Sequence, residues 1–141
     1  YSLKVPTIVR WPDKIKPGTV IEETFSFLDW YPTILSMTGI EKPENVTLRG
    51  TNALPLLMGE DIKEWNNDLF AQYKALRTYR TSDWKIVRDF SEKGRDELYN
   101  LVLDPNEKNN LIQDTEPEIL NKRNDLEKKM KDVMNAINDT P

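Results

Sequence analysis

The sequence predicts an α+β protein in which a short α/β portion precedes an antiparallel sheet that is closed by a long helix. Residues 5–39 contain a β-branched run followed by a helical pattern, whereas residues 69–101 contain four short strand-like segments separated by turn residues. Apolar residues then recur every three or four positions in residues 116–138, as they do on one face of a helix. We therefore predict two parts, residues 1–60 and residues 61–141.

The first part begins with VPTIVRW at residues 5–11, which predicts a β-strand. Its apolar residues occupy both odd and even positions and would therefore point to both faces of a strand. We therefore expect burial on both faces, as in an inner strand of a sheet. Residues 24–39 predict a helix, with Asp29 as its N-cap and Gly39 as the left-handed residue that ends it. LPLLMG at residues 54–59 predicts one short helical turn that ends in glycine.

The second part contains the four predicted strands. They are residues 69–73, 75–81, 84–90 and 97–101. Ser82 and Asp83 form a two-residue connection, which favours a tight antiparallel hairpin. The final helix is predicted over residues 116–138 and should lie on the sheet through one apolar face. That face comprises Leu126, Met130, Val133, Met134 and Ile137.

The composition excludes several classes of site. The 141 residues include 24 acidic and 20 basic side chains, giving a net charge of −4, so no basic excess argues for a nucleic-acid partner. No segment approaches the ~20 consecutive apolar residues of a membrane span, so we expect no membrane partner. The chain has no cysteine and no histidine. Thiolate nucleophiles, zinc–thiolate sites and the commonest general acid–base residue are therefore absent.

Several short strings along the chain together suggest one protein family. The strings occur in the family's order and with fitting gaps. They are VPTIVRWP at residues 5–12, LDWYPTIL at 28–35, RG and LPLLMGE within 49–60, RT and WKIVR within 77–88, and ELYNL, DPNE and NNL within 97–111. One such string is weak evidence, whereas several collinear strings are specific. Together they resemble the type I sulfatases of the alkaline phosphatase superfamily.

The resemblance implies that residues 1–60 are the tail of an alkaline-phosphatase-like α/β domain. It implies that residues 61–141 form the family's C-terminal subdomain, a four-stranded antiparallel sheet packed by a long C-terminal helix. For the parent protein it implies hydrolysis of sulfate esters, with calcium as the cation and a formylglycine made from Cys or Ser in a C/S-x-P-x-R string. It is also compatible with a periplasmic or secreted parent.

The sequence contains neither that string nor any histidine. The family's catalytic lysine precedes its counterpart of residues 5–6, so Lys4 is not interpreted as catalytic. We therefore expect no catalytic residue, no metal ligand and no cofactor in this segment, and we expect the segment alone to be inactive.

Lys74 and Arg77 are the candidate substrate-binding residues. The resemblance implies that the sheet of the subdomain approaches the substrate pocket, and cationic donors there suit a sulfate or a sugar carboxylate. The competing interpretation is that both are solvated or paired surface charges. Gln72 and Tyr73 lie beside them, and for both we expect strand packing. Trp65, which is flanked by polar residues, is the best candidate for stacking on a sugar ring.

Three functions stay open at this point. The first is a segment of a sulfatase that acts on a sulfated small molecule or glycan, with the segment supporting the substrate pocket. The second is a segment of a related phosphodiester or phosphonate hydrolase, and the third is a stand-alone module that binds a glycan or a protein. We expect the isolated segment to form a homo-oligomer, because the apolar strand predicted at residues 5–11 lacks its sheet neighbours.

Overall fold

The computed structural model describes residues 4–60, 62–91 and 94–140. The chain divides into two compact units, Tyr1–Asn67 and Asp68–Pro141. Among the described residues, the first unit contains short helices and irregular segments, and the second contains a sheet and a long helix.

Two short helices order the first unit. One turn of 3-10 helix, Phe27–Asp29, leads directly into helix α1, Trp30–Thr38. Gly39 ends α1 at φ 68°, in the left-handed region that glycine tolerates, and this confirms its predicted role. Helix α2, Leu54–Leu57, confirms the predicted helical turn.

Asp29 was predicted as the N-cap of the first helix, and it does occupy the N-cap position of α1, but its side chain makes no capping hydrogen bond there. Ser26 is the N-cap of the 3-10 turn, because its hydroxyl accepts a hydrogen bond from Leu28 N at 3.3 Å. The Asp29 carboxylate accepts one bond from Ser26 N and another from Thr51 N, each at 2.7 Å. Asp29 therefore joins the start of the helix to a distant loop, which a local sequence pattern does not reveal.

The prediction of a strand at residues 5–11 is wrong. These residues have irregular backbone, and Ile8 is 93% exposed. A strand needs a neighbour that pairs with its backbone N–H and C=O groups. Among the described residues, no segment pairs with residues 5–11. The apolar pattern thus specifies a segment suited to burial, but the pattern alone does not supply a partner strand.

The second unit is built on a four-stranded antiparallel sheet in the order β1-β2-β3-β4. The strands are β1 Leu69–Tyr73, β2 Leu76–Arg80, β3 Trp84–Asp89 and β4 Glu97–Asn100. They confirm the four predicted strands, with small differences at the ends. Thr81 N donates to Trp84 O at 2.8 Å, so Ser82 and Asp83 form the predicted tight turn between β2 and β3.

One face of this sheet carries the core. Tyr79, Ile86 and Leu98 lie opposite one another on three neighbouring strands and are buried. Helix α3, Pro117–Ala136, covers them and confirms the predicted final helix. The buried residues of α3 are Leu126, Met130 and Met134, all on the predicted apolar face. Because β2 and β3 both lie under α3, acidic side chains of the helix and of residues 137–140 can reach cations on the sheet.

Candidate functional site at the first hairpin

The first hairpin of the sheet ends in a tight turn that places a lysine at its tip. Tyr73 pairs with Leu76, and Lys74 and Ala75 connect them. Lys74 has φ 52°, which is in the left-handed region of backbone conformation. Two-residue hairpin turns favour positive φ, and glycine, asparagine or aspartate usually supply it. A lysine in this position is an uncommon choice whose conformational cost the surrounding structure must offset.

The tip of the hairpin is exposed. Tyr73 is 67% exposed, and Gln72 and Lys74 are exposed with it, so the prediction that Gln72 and Tyr73 are packed is wrong. The Lys74 ammonium lies 5.5 Å from the centroid of the Tyr73 ring, within the range of a cation–π contact. An exposed aromatic ring beside a cation is suited to an anionic sugar, whose ring can stack while its charged group pairs with the ammonium.

Arg77 lies three residues beyond the tip lysine and is buried, with only 4% of its surface exposed. Its Nη1 donates to Lys74 O at 2.6 Å and to Leu76 O at 3.0 Å. Its Nη2 donates to Asp139 Oδ1 at 2.6 Å, and its Nε donates to Asp139 Oδ2. The guanidinium therefore binds one carboxylate with two parallel bonds and, through Nη1, the carbonyls of Lys74 and Leu76 at the hairpin turn.

A second arginine lies directly across the strand pair. Arg88 on β3 is opposite Arg77 on β2, and like charges in such a position repel each other. Arg88 Nη1 lies 3.1 Å from a Glu127 oxygen of α3 and 3.3 Å from an Asp96 oxygen. Each arginine thus has its own acidic partners, and these offset the repulsion between the two cations.

Two tyrosines of this unit, Tyr79 and Tyr99, are buried. The Tyr79 hydroxyl donates to Asp68 Oδ2 at 2.7 Å. Burial, and then the hydrogen bond to Asp68, raise the pKa of Tyr79 above its usual value of 10.0. Burial also raises the pKa of Tyr99. A raised pKa favours the protonated phenol, so both hydroxyl groups are suited to donating hydrogen bonds near neutral pH.

The predicted site residues occupy different positions. Lys74 is exposed at the hairpin tip, whereas Arg77 is buried and engaged, and their contact with a substrate stays a prediction. Trp65 is partly buried and its Nε1 donates to Thr24 O at 2.9 Å, so it is not the exposed stacking surface that was predicted. Asp139 was not singled out, because it is 62 residues from Arg77 in sequence and no local pattern connects them.

Metal-ligand clusters and membrane-crossing helices are two kinds of feature that the described part of the chain does not contain. Within residues 4–60, 62–91 and 94–140, no three His, Cys, Asp or Glu side chains are grouped to hold a metal ion. None of the helices in this part of the chain is long and apolar enough to cross a membrane.

Comparison with known proteins decides the family. A family model described as N-sulphoglucosamine sulphohydrolase, C-terminal, matches residues 1–136. The chain belongs to this sulfatase family. The match confirms the resemblance to sulfatases, and the sheet with its closing helix agrees with the α+β fold of solved sulfatase structures.

Relatives of this sulfatase domain are much longer than it is. The N-acetylglucosamine-6-O-sulfatase of Bacteroides thetaiotaomicron is 26% identical, with 97% of this chain and 25% of the relative covered. The ulvan-active sulfatase of Formosa agariphila is 32% identical, with 64% of this chain and 20% of the relative covered. This sulfatase domain therefore spans about a quarter or less of the curated relatives it matches.

The fold is shared beyond sulfate chemistry. The structure of a phosphonate monoester hydrolase from Silicibacter pomeroyi has a TM-score of 0.72 at 21% identity, covering 89% of this chain and 28% of that chain. That likeness shows a common fold and does not assign a reaction to this sulfatase domain.

Proposed function

We propose that this sulfatase domain is the C-terminal part of an enzyme that hydrolyses sulfate esters, and that it supports the substrate pocket without supplying the catalyst. The family match over residues 1–136 carries the proposal. The sequence has no cysteine, no histidine and no C/S-x-P-x-R string, and the described residues hold no metal-ligand cluster. The calcium and formylglycine expected in the parent therefore do not fit the residues of this segment.

The proposed substrate is a sulfated glycan or a sulfated small molecule. The names of two relatives describe sulfatases of N-acetylglucosamine 6-O-sulfate and of ulvan. The exposed pair of Tyr73 and Lys74 is consistent with an anionic sugar, because it joins an aromatic ring to a cation. We place this pair at the rim of the substrate pocket, with Arg77 behind it.

An activity assay tests whether catalysis requires the parent enzyme and not this segment alone. The purified 141-residue chain is expected to show no turnover of an aryl sulfate, with or without calcium, because nucleophile and cation ligands are missing. The full-length parent should hydrolyse the same ester, and removing calcium with a chelator should abolish that activity. Turnover by the 141-residue chain that scales with protein and survives purification would contradict the proposal.

The same assay separates the sulfatase from the related hydrolase. A phosphonate monoester and a phosphodiester serve as competing substrates for the full-length parent. A kcat/KM that is higher for either of them than for the sulfate ester would favour the phosphonate or phosphodiester reaction. If the parent hydrolyses none of these esters, the third function, a module that binds a glycan or a protein, is favoured.

We also propose that the isolated segment self-associates through the first unit. Large apolar side chains there are exposed, including Ile8, Val20, Phe27 and Ile40. Monomeric proteins rarely leave extensive apolar surface in water. In the parent, we expect the remaining three quarters of the enzyme to cover these side chains; in the isolated segment, a second copy takes that role.

Light scattering across a concentration series measures this association. Wild-type segment should increase in mass with concentration, and Phe27→Glu should shift the distribution toward monomer. Leu103→Glu is the matched control, because Leu103 is as exposed as Phe27, at 83%, but lies in the second unit. A monodisperse wild-type monomer at high concentration, or an equal effect of both substitutions, would refute the proposed surface.

A further inference from the structure

We propose that Asp139 is a positioning residue that acts through Arg77 to hold the β1–β2 turn, and so directs Lys74 and Tyr73 toward an anionic sugar of the substrate. The inference rests on the proposed function for its substrate, but the arrangement it invokes is local to the second unit. It concerns a residue outside the family match, which covers residues 1–136.

The first step is the approach of Asp139 to the sheet. Helix α3 ends at Ala136, and Asn138 then takes φ 54°, which turns the chain back. Asp139 N donates to Met134 O at 2.9 Å, so the backbone of the turn is tied to the last turn of the helix. The Asp139 side chain is only 9% exposed and faces the Arg77 guanidinium. The end of α3 thus presents a buried carboxylate to β2.

The second step is the connection from Asp139 to the turn. The carboxylate fixes the plane of the Arg77 guanidinium with two bonds, to Nε and to Nη2. The remaining Nη1 then points at the carbonyls of Lys74 and Leu76. Without the carboxylate, a buried cation would be left uncompensated and would be drawn toward water, away from these carbonyls.

The third step is the need of the turn for this support. Lys74 is a non-glycine residue with φ 52°. This backbone conformation is unfavourable for such a residue and persists only where surrounding contacts hold it. The bond from Arg77 Nη1 to Lys74 O at 2.6 Å acts directly on that residue. The charge of Arg77 is neutralised by Asp139, whereas the ammonium of Lys74 is exposed at the tip, where it can meet an anionic group.

The cation that faces the Arg77–Asp139 pair has acidic partners of its own. Arg88, opposite Arg77, is neutralised by Glu127 and Asp96. Glu127 is on α3 and binds a cation on the same sheet, but among the described residues its partner Arg88 donates to no carbonyl of the β1–β2 turn. Glu127→Gln therefore provides a matched control that removes a carboxylate without touching the turn.

Two readouts in the full-length parent test the inference. Hydrogen exchange over residues 69–80 reports the turn, and steady-state kinetics on a sulfated glucosamine disaccharide report its use. Asp139→Asn is expected to speed exchange at the turn by about tenfold, and Glu127→Gln is not. Asp139→Asn should also raise KM by about tenfold while kcat changes by less than about twofold, because binding and not chemistry is affected. Asp139→Glu, which keeps the carboxylate, should restore most of both.

A second variant keeps the test independent of folding. Lys74→Gly removes the ammonium but suits the positive φ, so the protein should stay folded. It should raise KM as Asp139→Asn does, and the double variant should add little, because the two residues act as one unit. An unchanged exchange rate in Asp139→Asn, or faster exchange with unchanged KM, would overturn the positioning role.

Failure of the proposed function has a different signature. A wild-type parent that hydrolyses no sulfate ester would refute the activity, and calorimetric binding of the same disaccharide would then replace KM. Loss of that binding in both Asp139→Asn and Lys74→Gly would still support the positioning of the tip. Equal binding by wild type and both variants would overturn it.

Discussion

Gly50→Ala is expected to destabilise the first unit by at least about 3 kcal/mol, because the added methyl group has no space. A Cβ at Gly50 would lie 2.0 Å from Leu28 O and 2.6 Å from Asp29 N. Both atoms belong to the backbone, so no side-chain rotation relieves the overlap. The loop carrying Gly50 would have to move away from the start of α1.

That movement would break the contacts that hold the loop. Thr51 N donates to the Asp29 carboxylate at 2.7 Å, and Ala53 N donates to Thr33 Oγ1 at 2.8 Å. Asp29, Thr33 and Ala53 are all buried, so each lost bond leaves a polar group without a partner. The loss should therefore spread from the loop into helix α1.

Hydrogen exchange over residues 26–40, together with the urea midpoint of the chain, measures this effect. Gly59→Ala is the control, because its Cβ meets nothing within 4 Å although its φ is 76°. Backbone strain alone should then cost about 1–2 kcal/mol. If Gly50→Ala were no more destabilising than Gly59→Ala, the close approach to Leu28 would not constrain the loop.

Leu98→Ala is expected to destabilise the second unit by about 2–5 kcal/mol. Leu98 is 0% exposed and lies opposite Ile86 on the face of the sheet that packs against α3. Truncating it removes apolar contacts and leaves a cavity between the sheet and the helix. Since domains are stable by only ~5–15 kcal/mol, much of the stability of this unit would be lost.

Urea unfolding followed by far-ultraviolet circular dichroism measures the change. Leu103→Ala makes the same chemical change at a position that is 83% exposed, and its effect should stay within about 0.5 kcal/mol. Similar midpoints for the two variants would mean that the sheet and α3 do not form the stabilising core of this unit.

The strands of the hairpin at the candidate site could be predicted from the sequence, but the exposure of its side chains could not. Strands β1 and β2 follow from their β-branched and aromatic residues, and their antiparallel pairing follows from the short connection. Lys74 could be placed at the tip on the same grounds. The exposure of Gln72 and Tyr73 could not, because it depends on what packs against the end of the hairpin.

In the first unit, two predictions made from local sequence patterns depended on contacts with distant residues. The apolar pattern of residues 5–11 predicts burial, but a strand also requires a paired neighbour, and among the described residues there is none. Asp29 was predicted to cap a helix on local grounds, whereas its carboxylate also accepts a bond from Thr51, 22 residues away. In both cases the deciding contact is one that the local pattern does not encode.

The family, the α+β class, the four strands and the final helix could be predicted from the order of the amino acids, because motifs, turn residues and apolar periodicity are local patterns. The absence of a nucleophile string and of histidine was likewise a matter of composition. The burial of Arg77 against Asp139 and the exposure of Lys74 became evident from the folded chain alone. The two partners are 62 residues apart, and a buried ion pair forms only where folding brings both charges out of water at the same place.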